Sequence, residues 1–140
     1  MWQQHPPPPG PPPQPQRYVK LHKIGEGTYA HVYCARDLET GKLVALKDVF
    51  MSPDEGTPST ALREIAFLKA LSGHPNIVDL LAVLHDEAGL TLVFEHADAG
   101  DLKQHIDAVS RAGSGLTERQ IAGLVRQLVE GVAACHRHQI

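Results

Sequence analysis

GEGTYAHVY (residues 25–33) admits two folds. The spacing Gly25-x-Gly27-x-x-Ala30 fits a dinucleotide fingerprint, and Asp48 lies about 20 residues on, where a ribose-binding acid would sit. That arrangement needs a helix directly after the glycines. Here Tyr29, His31, Val32 and Tyr33 follow, and these residue types favour a strand. The turn ETGK (39–42) then cuts the segment short. The stretch therefore predicts a hairpin whose tip is Gly25 to Gly27. Glycines at such a tip let a phosphate chain approach the backbone, whose N–H groups can face it.

Strand signals continue on both sides of the hairpin. RYVKLHKI (17–24) alternates apolar and polar residues, HVYCARD (31–37) forms the returning arm, and KLVALKDVF (42–50) follows the turn. The loop MSPDEG leads to TPSTALREIAFLKAL (57–71), which reads as a helix with Thr57 as N-cap and Pro58 at the first helical position. GHPN (73–76) breaks the chain. IVDLLAVLH (77–85) and LTLVFEH (90–96) are expected as strands around an EAG turn. DLKQHIDAV (101–109) reads as a short helix, RAGSG (111–115) as a loop, and Thr117 with Gln120 as the capping box of a last helix. Three strands, a helix, two strands and then helices predict an α+β fold with an antiparallel five-stranded sheet.

The 140 residues suffice for one domain of ordinary size. Residues 1–16 are mostly proline and glutamine and are expected to form a disordered tail, partly as polyproline II. Such a run also suits an SH3 or WW groove; the solvated tail is the simpler expectation. A formal net charge of −3 gives no reason to expect nucleic acid or an anionic membrane as partner. No apolar run approaches a membrane span, and the start lacks the features of a secretory signal. Cys34 and Cys135 are the only cysteines, far apart, which points to a reducing compartment, cytoplasmic or nuclear. No metal site is expected.

One charge falls on an apolar stripe. Plotted at 100° per residue, Ala61, Glu64, Ile65 and Leu68 share one face of the predicted helix. A carboxylate there is costly unless paired. Lys47 follows the apolar run Leu43 to Leu46 and shares a strand face with Leu43 and Ala45. A Lys47–Glu64 ion pair would satisfy both groups, the alternative being that each reaches solvent separately. Leu62 projects roughly opposite Glu64, and Phe67 also lies off the inward stripe, which hints at a partner surface.

GEGTYAHVY, VALKDV, TPSTALRE, HPNIV and LTLVFE occur in the order found in the N-terminal lobe of eukaryotic protein kinases. TPSTALRE resembles the signature helix of cyclin-dependent kinases, and DEGTPSTALREI with LTLVFE is similar to their fungal phosphate-signalling branch. The resemblance covers about residues 17–140. It implies a kinase N-lobe and hinge over 17–97 and the first helices of a C-lobe over 98–140. It implies ATP as cofactor, with Ile24, Gly25, Glu26 and Gly27 over the nucleotide and Val32 and Ala45 on adenine. Lys47 would hold the α- and β-phosphates, positioned by Glu64. Phe94 falls at the gatekeeper position, Glu95 and Ala97 at the hinge, and Asp101 near the ribose. Leu62 would lie in the interface with a cyclin-type regulatory subunit, Thr28 and Tyr29 match an inhibitory phosphorylation pair, and Arg63 matches a clasp for a phosphorylated activation loop.

Departures from the family pattern carry their own expectations. Ala30 replaces a third glycine, which would cost on the order of 1 kcal/mol if that position needed positive φ. HADAGD (96–101) is one residue longer than the usual hinge-to-helix segment. In the family, a helix ending like CHRHQI leads into the catalytic loop. Residues 1–140 contain neither that loop nor the Mg²⁺ ligands expected beyond it. The chain as given is therefore expected to be truncated before the catalytic aspartate, to act on no protein substrate alone, and to leave the stripe Ile121, Leu124, Val125, Leu128, Val129 and Val132 without cover. The alternatives are a noncatalytic cyclin-binding fragment and an unstable gene-model fragment.

Overall fold

The computed structural model describes residues 17–51, 58–86 and 89–140. The elements run β1 (Tyr18–Glu26), β2 (Ala30–Asp37), β3 (Leu43–Val49), α1 (Ser59–Ala70), β4 (Leu80–Asp86), β5 (Gly89–Glu95), α2 (Leu102–Arg111) and α3 (Glu118–Arg137). All strand pairings are antiparallel, in the order β1-β2-β3-β5-β4. This is the α+β arrangement and strand count expected from the sequence. The proline-rich segment, Thr57 and most of the EAG turn lie outside the described residues.

Alternation along the central strands sorts their side chains onto two faces. Val44, Leu46, Ala35 and Val93 form one buried cluster, with Tyr18, Tyr33 and Ala82 against it. Ala45, Val49, Leu90, Leu92 and Phe94 face the other way and meet Ala61, Ile65 and Leu68 of α1. The first face is here called the outer face and the second the inner face. Leu92 and Val93, neighbours in sequence, are each fully buried on opposite sides of the sheet.

Three boundaries differ notably from the sequence expectation. Strand β1 runs on through Glu26, with Gly25 opposite Val32 and Glu26 opposite His31, so the hairpin tip is Gly27 to Tyr29 rather than Gly25 to Gly27. Helix α1 starts at Ser59, and Pro58 itself occupies the N-cap with φ −57° and ψ 135°. A proline side chain has no acceptor, so no side-chain cap bond forms there. Strand β4 starts at Leu80 rather than Ile77. Residues 77–79 are held instead by turn and loop bonds: the Ile77 amide donates to the His74 carbonyl, the Asp79 carbonyl accepts from the Glu95 amide, and the Asp79 amide donates to the Glu95 carboxylate.

The last helix has the expected capping box, with Thr117 accepting from the Gln120 amide and Gln120 reaching back. Its apolar stripe is exposed at Ile121, Val125, Leu128, Val129 and Val132. Near its end, α3 meets the loop after α1. A Cβ at Gly131 would stand 3.1 Å from the Asn76 carbonyl oxygen, so glycine lets that loop sit directly on the helix. Asn76 Nδ2 donates to Glu130 Oε2 at 2.9 Å, and Ala134 is buried. Among the described residues, no helix is long and apolar enough to cross a membrane.

The turn between β2 and β3 closes on Asp37. Its buried carboxylate accepts from Arg17 Nε at 3.0 Å and Nη2 at 2.9 Å, from the Glu39 amide at 3.0 Å and from Thr40 Oγ1 at 3.0 Å. The Arg17 guanidinium holds this carboxyl far below the usual carboxylate range, against the opposing effect of burial. A carboxyl with a lowered folded-state pKa stabilises the fold above its unfolded value of about 3.9, and that contribution is lost as pH falls below it. Urea unfolding midpoints are therefore expected to fall more steeply between about pH 4 and pH 2 in the native chain than in Asp37→Asn. Parallel acid profiles for the two proteins would show that Asp37 is not linked to folding.

Candidate functional site

The inner face of the sheet carries a concentrated set of the residues singled out from sequence. Gly25 pairs with Val32, Val32 with Lys47, and Lys47 with Leu92. These positions are therefore neighbours across adjacent strands. Ala45 pairs with buried Phe94 two residues along. Lys47 projects beyond the apolar cluster, and Nζ lies 2.6 Å from Glu64 Oε1 and 2.8 Å from Oε2. Both side chains stay partly exposed, at 28% and 37%. The lysine thus engages both carboxylate oxygens at the solvent edge of the α1–sheet contact.

The glycine turn lies next to this pair along β2. The Gly27 amide donates to the Ala30 carbonyl at 2.9 Å, and the Phe50 amide donates to the Tyr29 carbonyl at 2.9 Å. The second bond ties the tip to the end of β3. Tyr29 is 80% exposed and Ala30 is buried. Among the described residues only Gln139 is a non-glycine with positive φ. Alanine at position 30 therefore sits without the backbone strain that would have made glycine necessary.

Glu26 turns to the outer face. Its carboxylate meets Lys23 Nζ at 3.1 Å and His31 Nε2 at 3.3 Å. Lys23 first, and His31 second, hold its pKa below the ordinary value. Any contact of Glu26 with a ligand on the inner face would thus run through its backbone.

At the other end of the cleft, the Glu95 amide donates to the Asp79 carbonyl at 3.1 Å, and Glu95 Oε1 accepts from the Asp79 amide at 3.0 Å. Ala97 follows in an exposed segment, and Gly100 turns it with φ +74°. Asp101 caps α2, its Oδ1 accepting from the Gln104 amide at 2.7 Å. Ile24 is about half exposed on β1, and Leu62 and Phe67 are exposed on α1 at 56% and 41%. Sequence reading missed the Glu95–Asp79 lock and the His31–Glu26 contact. The cross-strand register carries both, and no local pattern signals either.

A groove of about 1040 Å³ lies on the outer face, lined among others by Lys20, His31, Asp48, Phe50 and Thr91. It includes neither Lys47 nor Glu64. Its size alone gives it no chemistry, so the smaller inner-face constellation remains the candidate site.

A part-exposed ion pair contributes little to stability, typically about 0.2–1 kcal/mol. Glu64→Gln is therefore expected to lower unfolding free energy by no more than about 1 kcal/mol in urea titrations. A loss of several kcal/mol would mean that the pair is a pillar of the fold rather than a functional feature.

Residues 18–140 match the family model of the protein kinase domain. A five-stranded antiparallel sheet with one helix, followed by further helices, agrees with that family's N-terminal lobe and part of its C-terminal lobe. The family implies ATP as ligand. Because the match begins at the first residue of β1 and runs through all of α3, the chain belongs to the protein kinase domain family.

Proposed function

We propose that residues 17–97 form the ATP-binding lobe and hinge of a cyclin-dependent-type serine/threonine kinase and that residues 98–140 begin its second lobe. The observation that carries this reading is the contact of Lys47 Nζ with both oxygens of Glu64 beside the glycine turn. A lysine held that way presents its charge where phosphates would lie beneath backbone amides. Ile24, Val32, Ala45 and Phe94 supply the apolar walls for adenine, Glu95 and Ala97 the backbone bonds at the hinge, and Asp101 the ribose contact. Mg²⁺ would be held by ligands outside these 140 residues. The sequence PSTALRE supports the cyclin-dependent type, acting in cytoplasm or nucleus, with Thr28 and Tyr29 as regulatory phosphorylation sites on the exposed turn.

A second reading, a noncatalytic cyclin-binding chain, draws on the exposure of Leu62 and Phe67 on α1. Both readings make α1 the docking element, with Leu62 as the anchor. Leu62→Ala is expected to weaken cyclin binding by roughly 1–3 kcal/mol. Failure of folded protein to capture any cyclin of its organism would remove the cyclin-dependent assignment.

Nucleotide binding tests the site directly. Calorimetric titration with ATP is expected to show saturable binding that weakens about 10- to 100-fold in Lys47→Met, as loss of a charge-assisted phosphate contact implies. The 140-residue chain is expected to bind without transferring phosphate, since phosphoryl transfer needs metal ligands and a residue that orients the hydroxyl. Equal affinity in Lys47→Met would overturn the assignment of Lys47, and substrate phosphorylation by purified chain free of other kinases would overturn the catalytic part.

A further inference from the structure

The glycine turn has a second support on the face away from the candidate site. His31 is the cross-strand partner of Glu26 on β1 and of Asp48 on β3. Directly paired residues share a sheet face, so all three side chains lie on the outer face, opposite Lys47. The His31 ring reaches Glu26 Oε1 through Nε2 and stands edge-on to Phe50, with centroids 4.7 Å apart at 84°. Phe50 is also the residue whose amide holds the Tyr29 carbonyl. One imidazole therefore links both ends of the turn, Glu26 before it and, through Phe50, Tyr29 within it.

We propose that His31 is a positioning residue for the glycine turn, clasping Glu26 to the end of β3 from the outer face. The proposal deepens the nucleotide-site reading and rests on it for its effect on ligand binding. Four charged groups surround the clasp. Glu26 touches the ring and is shared with Lys23. Asp48, on β3, is already engaged by Lys20 of β1 and by Thr91 Oγ1 at 2.8 Å. Lys20 itself lies over the Tyr33 ring at 4.6 Å, and Tyr33 flanks His31 edge-on at 6.2 Å. Asp48 is thus committed elsewhere, which leaves Glu26, among the described residues, as the carboxylate in contact with His31.

Imidazole changes charge between about pH 5 and pH 8. In the charged form both ring nitrogens donate, so Nε2–H always faces the carboxylate and the contact gains attraction between opposite charges. In the neutral form only one tautomer donates from Nε2. The clasp is therefore tighter when the ring is charged. A turn already held in one place loses less entropy when a ligand orders it, so a ligand gripped on the inner face gains affinity as the clasp tightens. An ordinary sheet contact has no such dependence on pH.

The test uses the full chain with His31→Val, His31→Gln and Glu26→Gln. Two measurements are made at about pH 6 and about pH 8, which bracket imidazole titration. Amide exchange, expressed as protection factors for Gly27 and Phe50, reads the turn without ligand. ATP titration reads the site, and comparing variants at each pH cancels the titration of ATP itself. His31→Val is expected to reduce both protection and ATP affinity about two- to fivefold at the lower pH and less than twofold at the higher, the scale of an exposed charged pair. Glu26→Gln should abolish the pH-dependent part, and His31→Gln should restore part of the protection equally at both pH values. Parallel pH profiles for native and His31→Val protein would overturn the proposal, as would a pH dependence that survives in Glu26→Gln. If ATP binds none of the proteins, the nucleotide reading fails by itself, and the clasp stands or falls on protection of Gly27 and Phe50.

Discussion

Lys47 and Glu64 meet where a helix is laid across a sheet, and the geometry of everything nearby follows from that contact. Apolar packing of Ala61, Ile65 and Leu68 on Leu90, Leu92 and Phe94 brings α1 down onto the inner face. Such packing is non-directional and tolerates some rotation of the helix about its axis. The ion pair adds a directional contact worth at most about 1 kcal/mol. With a single ammonium within 2.8 Å of two carboxylate oxygens, it favours, among those rotations, the one that turns Glu64 toward β3. With Glu64 on that side, Leu62 must point outward, because it projects about 160° away from Glu64 by helix geometry. The apolar residues of α1 are thus divided into those that hold the helix and those left for another surface.

The sheet separates two kinds of chemistry. Around the Lys47–Glu64 pair its inner face presents small and apolar side chains, Val32 and Ala45. Its outer face carries a connected set of charges and rings, from Glu26 and His31 through Tyr33, Lys20 and Asp48 to Thr91. Alternation along β3 keeps these sets apart even where residues 47 and 48 are consecutive. A ligand on the inner face meets few competing polar side chains, while the outer set braces the same strands from behind.

Much of this was legible in the sequence. The β-forming residues Tyr29, His31, Val32 and Tyr33 and the ETGK turn were enough to replace a helix with a strand after the glycines, and the stripe containing Glu64 was enough to ask for a cation. The kinase resemblance extended that reading to the order of elements. Three features were not legible. The start of α1 depended on Pro58 serving as the cap, and the sequence offered an equally good cap one residue earlier. The start of β4 depended on a backbone bond and a backbone-to-carboxylate bond between Asp79 and Glu95, positions 16 apart in sequence. The bond of His31 to Glu26 depended on strand register, and β1 has irregularities after Lys20 and Lys23 that shift it. Local patterns fix which residues alternate; they do not fix which residue stands opposite which.

The notch at Gly131 gives α1 two unlike ends. Behind the helix, Leu71 is buried, Asp79 accepts from Ser72 and the Gly73 amide, and Asn76 lies against α3 through its backbone and a bond to Glu130. Toward the front, Pro58 makes no side-chain cap, and the anchoring polar contact is an ion pair open to solvent. Dissolved ions screen exposed charges within about 10 Å at 0.1 M ionic strength and leave close van der Waals contact untouched. Ionic strength therefore works on the middle of this helix, at Glu64, more than on its far end, as on a lever with a fixed fulcrum at the notch and a load that salt can lighten.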